Sequence, residues 1–483
     1  MRTDQAQITD LYQLTMAQSY WHSGRIGLHS SFYLHFRENP FRGGYAIACG
    51  MAQAASYVDG FRFTDDDIAY LRTLEGHAAP GASLFAPEFL DYLALLRLKV
   101  DIDSVAEGTA VFPHEPLMRV TGPILQCQLL ETALLNMVGF ETLVATKAAR
   151  ICAVAPGPVA EFGLRRAQGP AGGVFASRAA IVGGCASTSN VEAGRRFGLP
   201  VSGTHSHSWV MAYDDELEAF RAFAAAFPHD CVLLVDTYDT LKGVANAIVV
   251  AQELRDKGSR LLGIRIDSGD LAWLSKEARR MLDAAGHHDV KIVASNDLDE
   301  YTVSSLVGEQ GACIDSWGVG TRLATAFDQP ALGCVYKMSA TSNDCGASWT
   351  PRIKVSEQVQ KSTLPGVLSV RRYVSESGVM VGDMVYDLTR PPADDRIIDP
   401  TDELRQKDLS GATSHELLQP LVRAGCAVGA LPSALEAQAQ TQRSLAQLDA
   451  SNKRLLNPHS YPVGLERGLL NERDRLIRAF RGL

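Results

Sequence analysis

Four short apolar runs in the middle of this chain each stop at a polar cluster, and helical spacing resumes after each one. They lie at residues 200–208, 232–239, 262–270 and 292–297. Their polar ends read Gly203-Thr204-His205-Ser206-His207-Ser208, Asp236-Thr237-Tyr238-Asp239, Asp267-Ser268-Gly269-Asp270 and Ser295-Asn296-Asp297. Parallel strands buried on both faces give such runs, and the helices that return the chain give a 3.6-residue stripe. The alternation predicts an α/β fold built on an irregular (β/α) barrel. Its polar tips gather on the face where such barrels keep their chemistry. A His-rich tip, an acid-rich tip, an Arg/Asp tip and a Ser/Asn tip together suit a charged, hydroxylated, phosphate-bearing substrate.

At 483 residues the chain is too long for one compact core, which implies two or three domains. A net charge of −9 argues against bulk binding to nucleic acid or to an anionic membrane, so basic groups for an anionic ligand must be concentrated in a cleft. No apolar run is long enough to span a bilayer. The polar N-terminus shows no signal-peptide core. The nine cysteines include no CxxC pair, which points away from a zinc site or a disulfide framework and toward a cytoplasmic protein with reduced thiols.

Thr9 reads as the N-cap of a helix through Tyr12, Met16 and Tyr20 that ends at Gly24. Residues 31–37 read as a strand, and helical stretches follow near 48–60, 65–74 and 86–97. Short antiparallel strands separated by Gly108, Pro113 and Pro116 fill 105–120. Residues 1–125 are therefore expected to form a second, smaller mixed α/β domain, completed by about 345–400, with strands near 367–387. The catalytic barrel is expected over 126–340. It opens with a helical stretch at 125–153 broken by Gly139, and holds a strand at 160–162, a helix at 240–257 and a last strand at 314–317. Residues 338–360 read as loop-rich and exposed, and 401–483 as a helical C-terminal region interrupted at Asn457-Pro458-His459.

Asp267 stands at a strand end, where a carboxylate can accept hydrogen bonds from two vicinal ribose hydroxyls. Arg265, two residues earlier, projects to the same side. Asp270 reads as an ordinary helix cap. Ser295-Asn296 and Gly318-Val319-Gly320-Thr321 each precede a helix start, so their N–H groups and hydroxyls offer a cradle for a phosphomonoester. One Gly-x-Gly-Thr alone is equally an ordinary turn; two such tips late in one barrel favour phosphate. His207, with Asp236 on the neighbouring tip holding one ring nitrogen, suits a nucleophile toward a phosphoryl group. A histidine hydrogen-bonded into a polar mouth is an equal alternative, and the stronger one for His205. Arg165 offers a bidentate grip on a carboxylate, and Phe162 and Tyr12 offer faces to a planar ring, although each alone is compatible with plain packing. Arg166 reads as a solvated neighbour. Arg37 and Arg42 flank the turn at Pro40-Phe41 and either reach a pyrophosphate or lie exposed.

As a set, these motifs resemble those of the nicotinate phosphoribosyltransferase family. The matching stretches are Thr9-Asp10-Leu11-Tyr12-Gln13-Leu14-Thr15-Met16, Phe36-Arg37-Glu38-Asn39-Pro40-Phe41, Leu129-Leu130-Glu131-Thr132, Glu161-Phe162-Gly163-Leu164-Arg165-Arg166, Gly203-Thr204-x-x-His207-Ser208, Asp267-Ser268-Gly269-Asp270-Leu271, Leu332-Gly333-Cys334-Val335-Tyr336-Lys337 and Asn457-Pro458-His459-x-Tyr461-Pro462-Val463. The resemblance implies an irregular barrel of the nicotinate/quinolinate phosphoribosyltransferase kind, in a homodimer whose active sites borrow residues across the interface. It implies transfer of the phosphoribosyl group of phosphoribosyl pyrophosphate to nicotinate, giving nicotinate mononucleotide and pyrophosphate, the first step of NAD synthesis from nicotinate. Magnesium (Mg2+) is the implied cofactor and ATP the co-substrate. The resemblance places a phosphohistidine at His207, Tyr12 of the partner subunit and Phe162 on the two faces of the pyridine ring, Arg165 and Arg265 near the base and phosphates, and Asp267 on the ribose. Residues 187–190 stand where nicotinamide-using relatives carry an Asp; the neutral groups here suit a carboxylate, which an Asp would repel.

The expected catalytic set is thus His207, Asp236, Arg265 and Asp267. The expected substrate-binding set is Tyr12, Phe162, Arg165, Ser208, Ser295, Asn296, Gly318, Gly320 and Thr321. No protein ligand for the metal is singled out. Three alternatives stay open: a nicotinamide phosphoribosyltransferase, a Schiff-base lyase using Lys242 or Lys337, and a catalytically silent nucleotide-binding protein.

Overall fold

The computed structural model describes residues 6–76, 79–355 and 363–482. The chain forms two compact units, Met1–Leu143 with Ala331–Leu483, and Val144–Pro330. The smaller unit, 144–330, lies inside the range 126–340, and the unit holding both chain ends is the larger of the two. Among the described residues no helix is long and apolar enough to cross a membrane.

The larger unit is built on two sheets. The first has seven strands in the order Thr350–Pro351, Cys334–Ser342, His29–Phe36, Met118–Pro123, Asp101–Ser104, Gln419–Arg423 and Cys426–Ala427, every pair antiparallel. The second has six, in the order Asp402–Asp408, Arg396–Asp399, Val463–Leu465, Met380–Asp387, Leu368–Val374 and Thr413–Glu416. Leu368–Val374 and Met380–Asp387 form a hairpin whose turn needs the left-handed Gly378, at φ 80°. The expectation of an all-helical C-terminal region is corrected here: residues 402–427 are mostly strand, and helix occupies only Ala434–Gln447 and Arg467–Arg481. Residues 343–349 and 352–355 are the irregular, largely exposed stretch expected, but residues 338–342 are strand. Strand Cys334–Ser342 runs along His29–Phe36, and Ser339 and Ala340 are fully buried. Residues 356–360 lie outside the described residues.

Two helix boundaries also differ from expectation. Helix Leu11–His22 starts behind Asp10 rather than Thr9, and the Asp10 carboxylate accepts the Thr132 hydroxyl at 2.7 Å. Helix Glu131–Val154 runs unbroken through Gly139; the interruption falls at Leu130, which ends helix Ile124–Leu129. One interior glycine costs a helix only about 1 kcal/mol, which surrounding packing readily offsets. Tyr461, from the motif after Asn457, stacks on Phe112 at 3.8 Å and donates to Asp383, which also pairs with the buried Arg372 at 2.6 Å.

The unit Val144–Pro330 carries a six-stranded parallel sheet in the order Val232–Leu234, Gly263–Ile266, Lys291–Ala294, Ser316–Val319, Val159–Glu161 and Ser187–Thr188. Val201 adds a parallel bridge to Thr188. A side chain joins the segment beyond Val201 to the first strand of the row: Nε2 of His205 accepts the Leu234 N–H at 3.1 Å. Helices follow the strands, and acids cap them. Asp239 accepts from Lys242 N at 2.8 Å, Asp270 from Trp273 N at 3.0 Å and Asp299 from Thr302 N at 2.8 Å. Satisfying these first N–H groups sets where each strand tip ends and its helix begins.

Candidate active site

A cavity of about 750 Å³ opens at the C-terminal ends of the parallel strands. That is the size of a small-molecule site, in the place where such sheets bind ligands. It is lined entirely by residues of the Val144–Pro330 unit, drawn from loops far apart in the chain.

One wall is the tip of strand Gly263–Ile266. The Asp267 carboxylate accepts the Ser295 hydroxyl through one oxygen, and its other oxygen lies 3.8 Å from Nε2 of His207. Nδ1 of His207 lies 3.2 Å from the Thr237 hydroxyl. The expected contact of Asp236 with His207 is therefore not made. Strand Val232–Leu234 has already ended and the chain bends at Thr237, so Thr237 meets the ring while Asp236 turns to the next tip. There Oδ2 of Asp236 accepts the Asp267 N–H at 2.8 Å and the Ser268 hydroxyl at 2.6 Å. Asp236 does not line the cavity, nor does Ser208, whose hydroxyl pairs with that of Ser206 at 2.6 Å.

Arg265 is largely buried in the same wall. Its guanidinium donates to the Thr204 hydroxyl at 2.6 Å and to the His205 carbonyl at 3.2 Å. Desolvation pulls its pKa below the usual value, against the opposing pull of Asp267 and Asp236. His205 itself is structural. Its Nε2 accepts from the backbone, and burial lowers its pKa to about 4, which keeps the ring neutral.

The opposite wall is Phe162 with the Leu164–Arg166 turn. A Cβ added at Gly318 would stand 2.7 Å from two ring carbons of Phe162, so the ring lies directly on the glycine backbone. Glu161, fully buried beneath it, accepts the Gly163 N–H and the hydroxyls of Ser177 and Thr188, at 2.8 and 2.7 Å. Arg165 lines the cavity as expected, and Arg166, read from sequence as only a solvated neighbour, lines it too. Ser189 completes this side with a neutral hydroxyl.

Ser295, Asn296, Gly318, Gly320 and Thr321 all reach the cavity. Asn296 takes φ 99°, a left-handed conformation that costs an L-residue energy and tends to occur at functional loops. Asp297 brings a carboxylate to the same loop. Tyr12 belongs to the other unit, on helix Leu11–His22, and its ring is about half exposed.

Sequence reading thus passed over Thr237, Thr204, Glu161 and Asp297. Only Glu161, an acid inside the apolar run Val159–Phe162, carries a signal visible without coordinates. Neither lysine proposed for a Schiff base lines the cavity: Lys242 lies in helix Thr240–Asp256, and Lys337 on strand Cys334–Ser342 of the other unit. A buried Cys49–Glu107–Glu141 cluster in the larger unit has metal-compatible spacing. Its Glu107 caps helix Met51–Asp59, accepting Gly50 N at 2.8 Å and Ala52 N at 3.2 Å.

Three family models match the chain in succession: the nicotinate phosphoribosyltransferase N-terminal domain over residues 8–139, the nicotinate phosphoribosyltransferase family over 158–375, and the C-terminal domain over 369–473. A nicotinate phosphoribosyltransferase of Bacillus subtilis is 43% identical over 467 residues, covering 95% of this chain and 92% of its own. One from Caenorhabditis elegans is 35% identical and covers 96% and 91%. The crystal structure of human nicotinic acid phosphoribosyltransferase superposes with a TM-score of 0.84 at 32% identity, covering 97% of this chain and 99% of that one. Likeness of this extent, in sequence and in fold alike, leaves one assignment: the chain belongs to the nicotinate phosphoribosyltransferase family.

Proposed function

We propose that this protein transfers the phosphoribosyl group of phosphoribosyl pyrophosphate to the ring nitrogen of nicotinate, releasing pyrophosphate. The observation that carries the reading is the single cavity in which Phe162, Arg165, Asp267, Ser295 and Gly320 meet. It offers an aromatic face, a cation for a carboxylate, an acid for ribose hydroxyls and a cradle for the 5′-phosphate.

Nicotinate presents a free pyridine lone pair at neutral pH, so attack at the anomeric carbon needs no general base. The demanding event is departure of pyrophosphate, which leaves positive charge on the ribose ring. Asp267 supplies a negative group beside that charge and holds the hydroxyls. Phe162 and Arg165 align the base with the carbon it attacks. The neutral Ser189 favours the acid over the amide. Magnesium, when bound, supplies charge neutralisation to the pyrophosphate. The cavity-lining oxygen donors that would hold it are Asp267 and Asp297; Asp236 stands behind that wall, its Oδ1 buried without a hydrogen-bond partner among the described residues.

ATP enters the reading through His207. With Nδ1 held by Thr237, Nε2 is the nitrogen left to attack the γ-phosphorus of ATP; ADP leaves, and water later releases phosphate from the ring. The phosphoryl group adds about two negative charges beside Asp267. The exposed Leu11 and Tyr12 support a homodimer in which Tyr12 of the partner subunit covers the base. The His205–Leu234 contact supports an irregular barrel, and the reading is that of a cytoplasmic enzyme.

The test is incubation with nicotinate or nicotinamide, phosphoribosyl pyrophosphate, magnesium and ATP, with mass detection of the mononucleotide. Acid preference of less than about tenfold, one hydrogen-bonded charge's worth, would reject the role of Arg165. Full ATP stimulation in His207→Gln would reject the phosphohistidine.

A further inference from the structure

Backbone pairing between strands Lys291–Ala294 and Ser316–Val319 is made at Val293 with Ser316 and at Ala294 with Trp317. Past it the first chain leaves the sheet as the loop Ser295-Asn296-Asp297, while the second stays paired at Gly318 and Val319 with Ala160 and Glu161 and leaves as Gly320-Thr321, the two halves of the phosphate cradle. Both loops have unusual backbones: Asn296 at φ 99° and Gly320 at φ −113°, ψ −100°. One ion pair spans their far ends. The Arg322 guanidinium, just after the second loop, donates to Oδ2 of Asp299, just after the first, at 2.9 Å. The Asp299 side chain is 7% exposed, and its other oxygen caps helix Glu300–Gly308. Arg322 is steadied by the Phe327 ring, 4.5 Å from its guanidinium carbon. The adjacent Glu300 is buried between Lys147 at 2.8 Å and Arg150 at 2.9 Å, so the first loop is fixed from behind as well. Neither Asp299 nor Arg322 lines the cavity.

We propose that Arg322 and Asp299 are positioning residues, a strut that sets the separation of the two cradle loops and thereby the grip on the phosphate end of phosphoribosyl pyrophosphate. The inference rests on the transferase reading above. A buried carboxylate with both oxygens engaged holds its partner in one geometry. The strained loop at Asn296 requires such outside support to persist. The strut acts on the ribose 5-phosphate end and not on the base or the leaving group.

The experiment uses the full-length protein with Arg322→Met, Arg322→Lys and Asp299→Asn; the last keeps the helix cap and removes the charge. In Arg322→Met, the KM for phosphoribosyl pyrophosphate and the inhibition constant of ribose 5-phosphate are expected to rise about tenfold, the effect of one charge-assisted hydrogen bond. The kcat, the KM for nicotinate and inhibition by inorganic pyrophosphate should stay within about twofold, because uniform binding is lost at one end only. Arg322→Lys should recover most of the loss, Asp299→Asn should match Arg322→Met, and the double variant should be no worse than either single change. An unchanged KM in folded, active Arg322→Met would overturn the strut, as would equal weakening of ribose 5-phosphate and pyrophosphate. Should Arg322→Met not fold, Asp299→Asn against Arg322→Lys decides by the same readings. A wild type that makes no mononucleotide would overturn the transferase reading and the strut together, whereas an active wild type with indifferent variants overturns the strut alone.

Discussion

The Asp236 carboxylate accepts the backbone N–H of Asp267 at 2.8 Å, and the same oxygen takes the Ser268 hydroxyl. An acid on one strand tip therefore fixes the direction in which the next tip presents its own acid. Removing it in Asp236→Ala should lower kcat/KM by about 10- to 100-fold, the range of one or two hydrogen bonds to a charged group. Asp236→Asn retains an accepting oxygen and should lose clearly less. Equal losses in steady-state kinetics would mean that the charge, not the bracing of the loop, is what matters.

The contact of Phe162 with Gly318 leaves no room for a methyl group, since a Cβ there would stand 2.7 Å from the ring. Gly318→Ala should tilt the ring, raise the KM for nicotinate and destabilise the fold by about 1–3 kcal/mol, as overpacking does. Chemical denaturation and initial rates with nicotinate varied check both parts. An unaltered KM would remove Phe162 from the base subsite.

Arg165 sits at the cavity on a short, exposed turn. Arg165→Gln should reduce kcat/KM for nicotinate by about tenfold or more while leaving the slow reaction with nicotinamide unchanged, because the amide has no charge to lose. Competition between the two bases in one vessel, read by mass, reports the ratio directly.

Folding keeps the His205 ring neutral, with its pKa pushed down to about 4 by burial from the ordinary 6.5. The unfolded chain then takes up more protons than the native one between those two values. Stability is therefore lost as pH falls from about 6.5 toward 4, with no further loss from this group below that. Burial lowers His35 in the same direction, to about 3. In His205→Gln the amide oxygen takes the position of Nε2 and can still accept the Leu234 N–H, so urea midpoints measured across pH 7 to 4 should vary less steeply than in wild type.

The sheet of the smaller unit was legible because its strands are apolar runs ending in turn chemistry, as at Val232–Leu234 and Gly263–Ile266. Strand Asp402–Asp408 was not: all seven of its residues are exposed, it has no apolar alternation, and it lies at a sheet edge, where charge guards against further pairing. Cys334–Ser342 carries the small polar residues of a loop, and only the partner strand His29–Phe36 makes it a buried strand. Within the site, the positions of Asp267 and Ser295 at strand tips followed from the runs that precede them, whereas the run before His207 gives only the bridge at Val201 and His207 opens helix His207–Met211. The partner of His207 did not follow either, because Asp236 and Thr237 are equally plausible by type and only their orientations separate them.

The antiparallel sheet of seven strands sets an order on biosynthesis. Strand His29–Phe36 must wait for Cys334–Ser342, and Asp101–Ser104 for Gln419–Arg423. At the ~5–20 residues per second of translation, the early strands stay without these neighbours for tens of seconds while the whole parallel sheet emerges between them. The nascent N-terminal segment is accordingly the stretch on which a chaperone has the longest time to act.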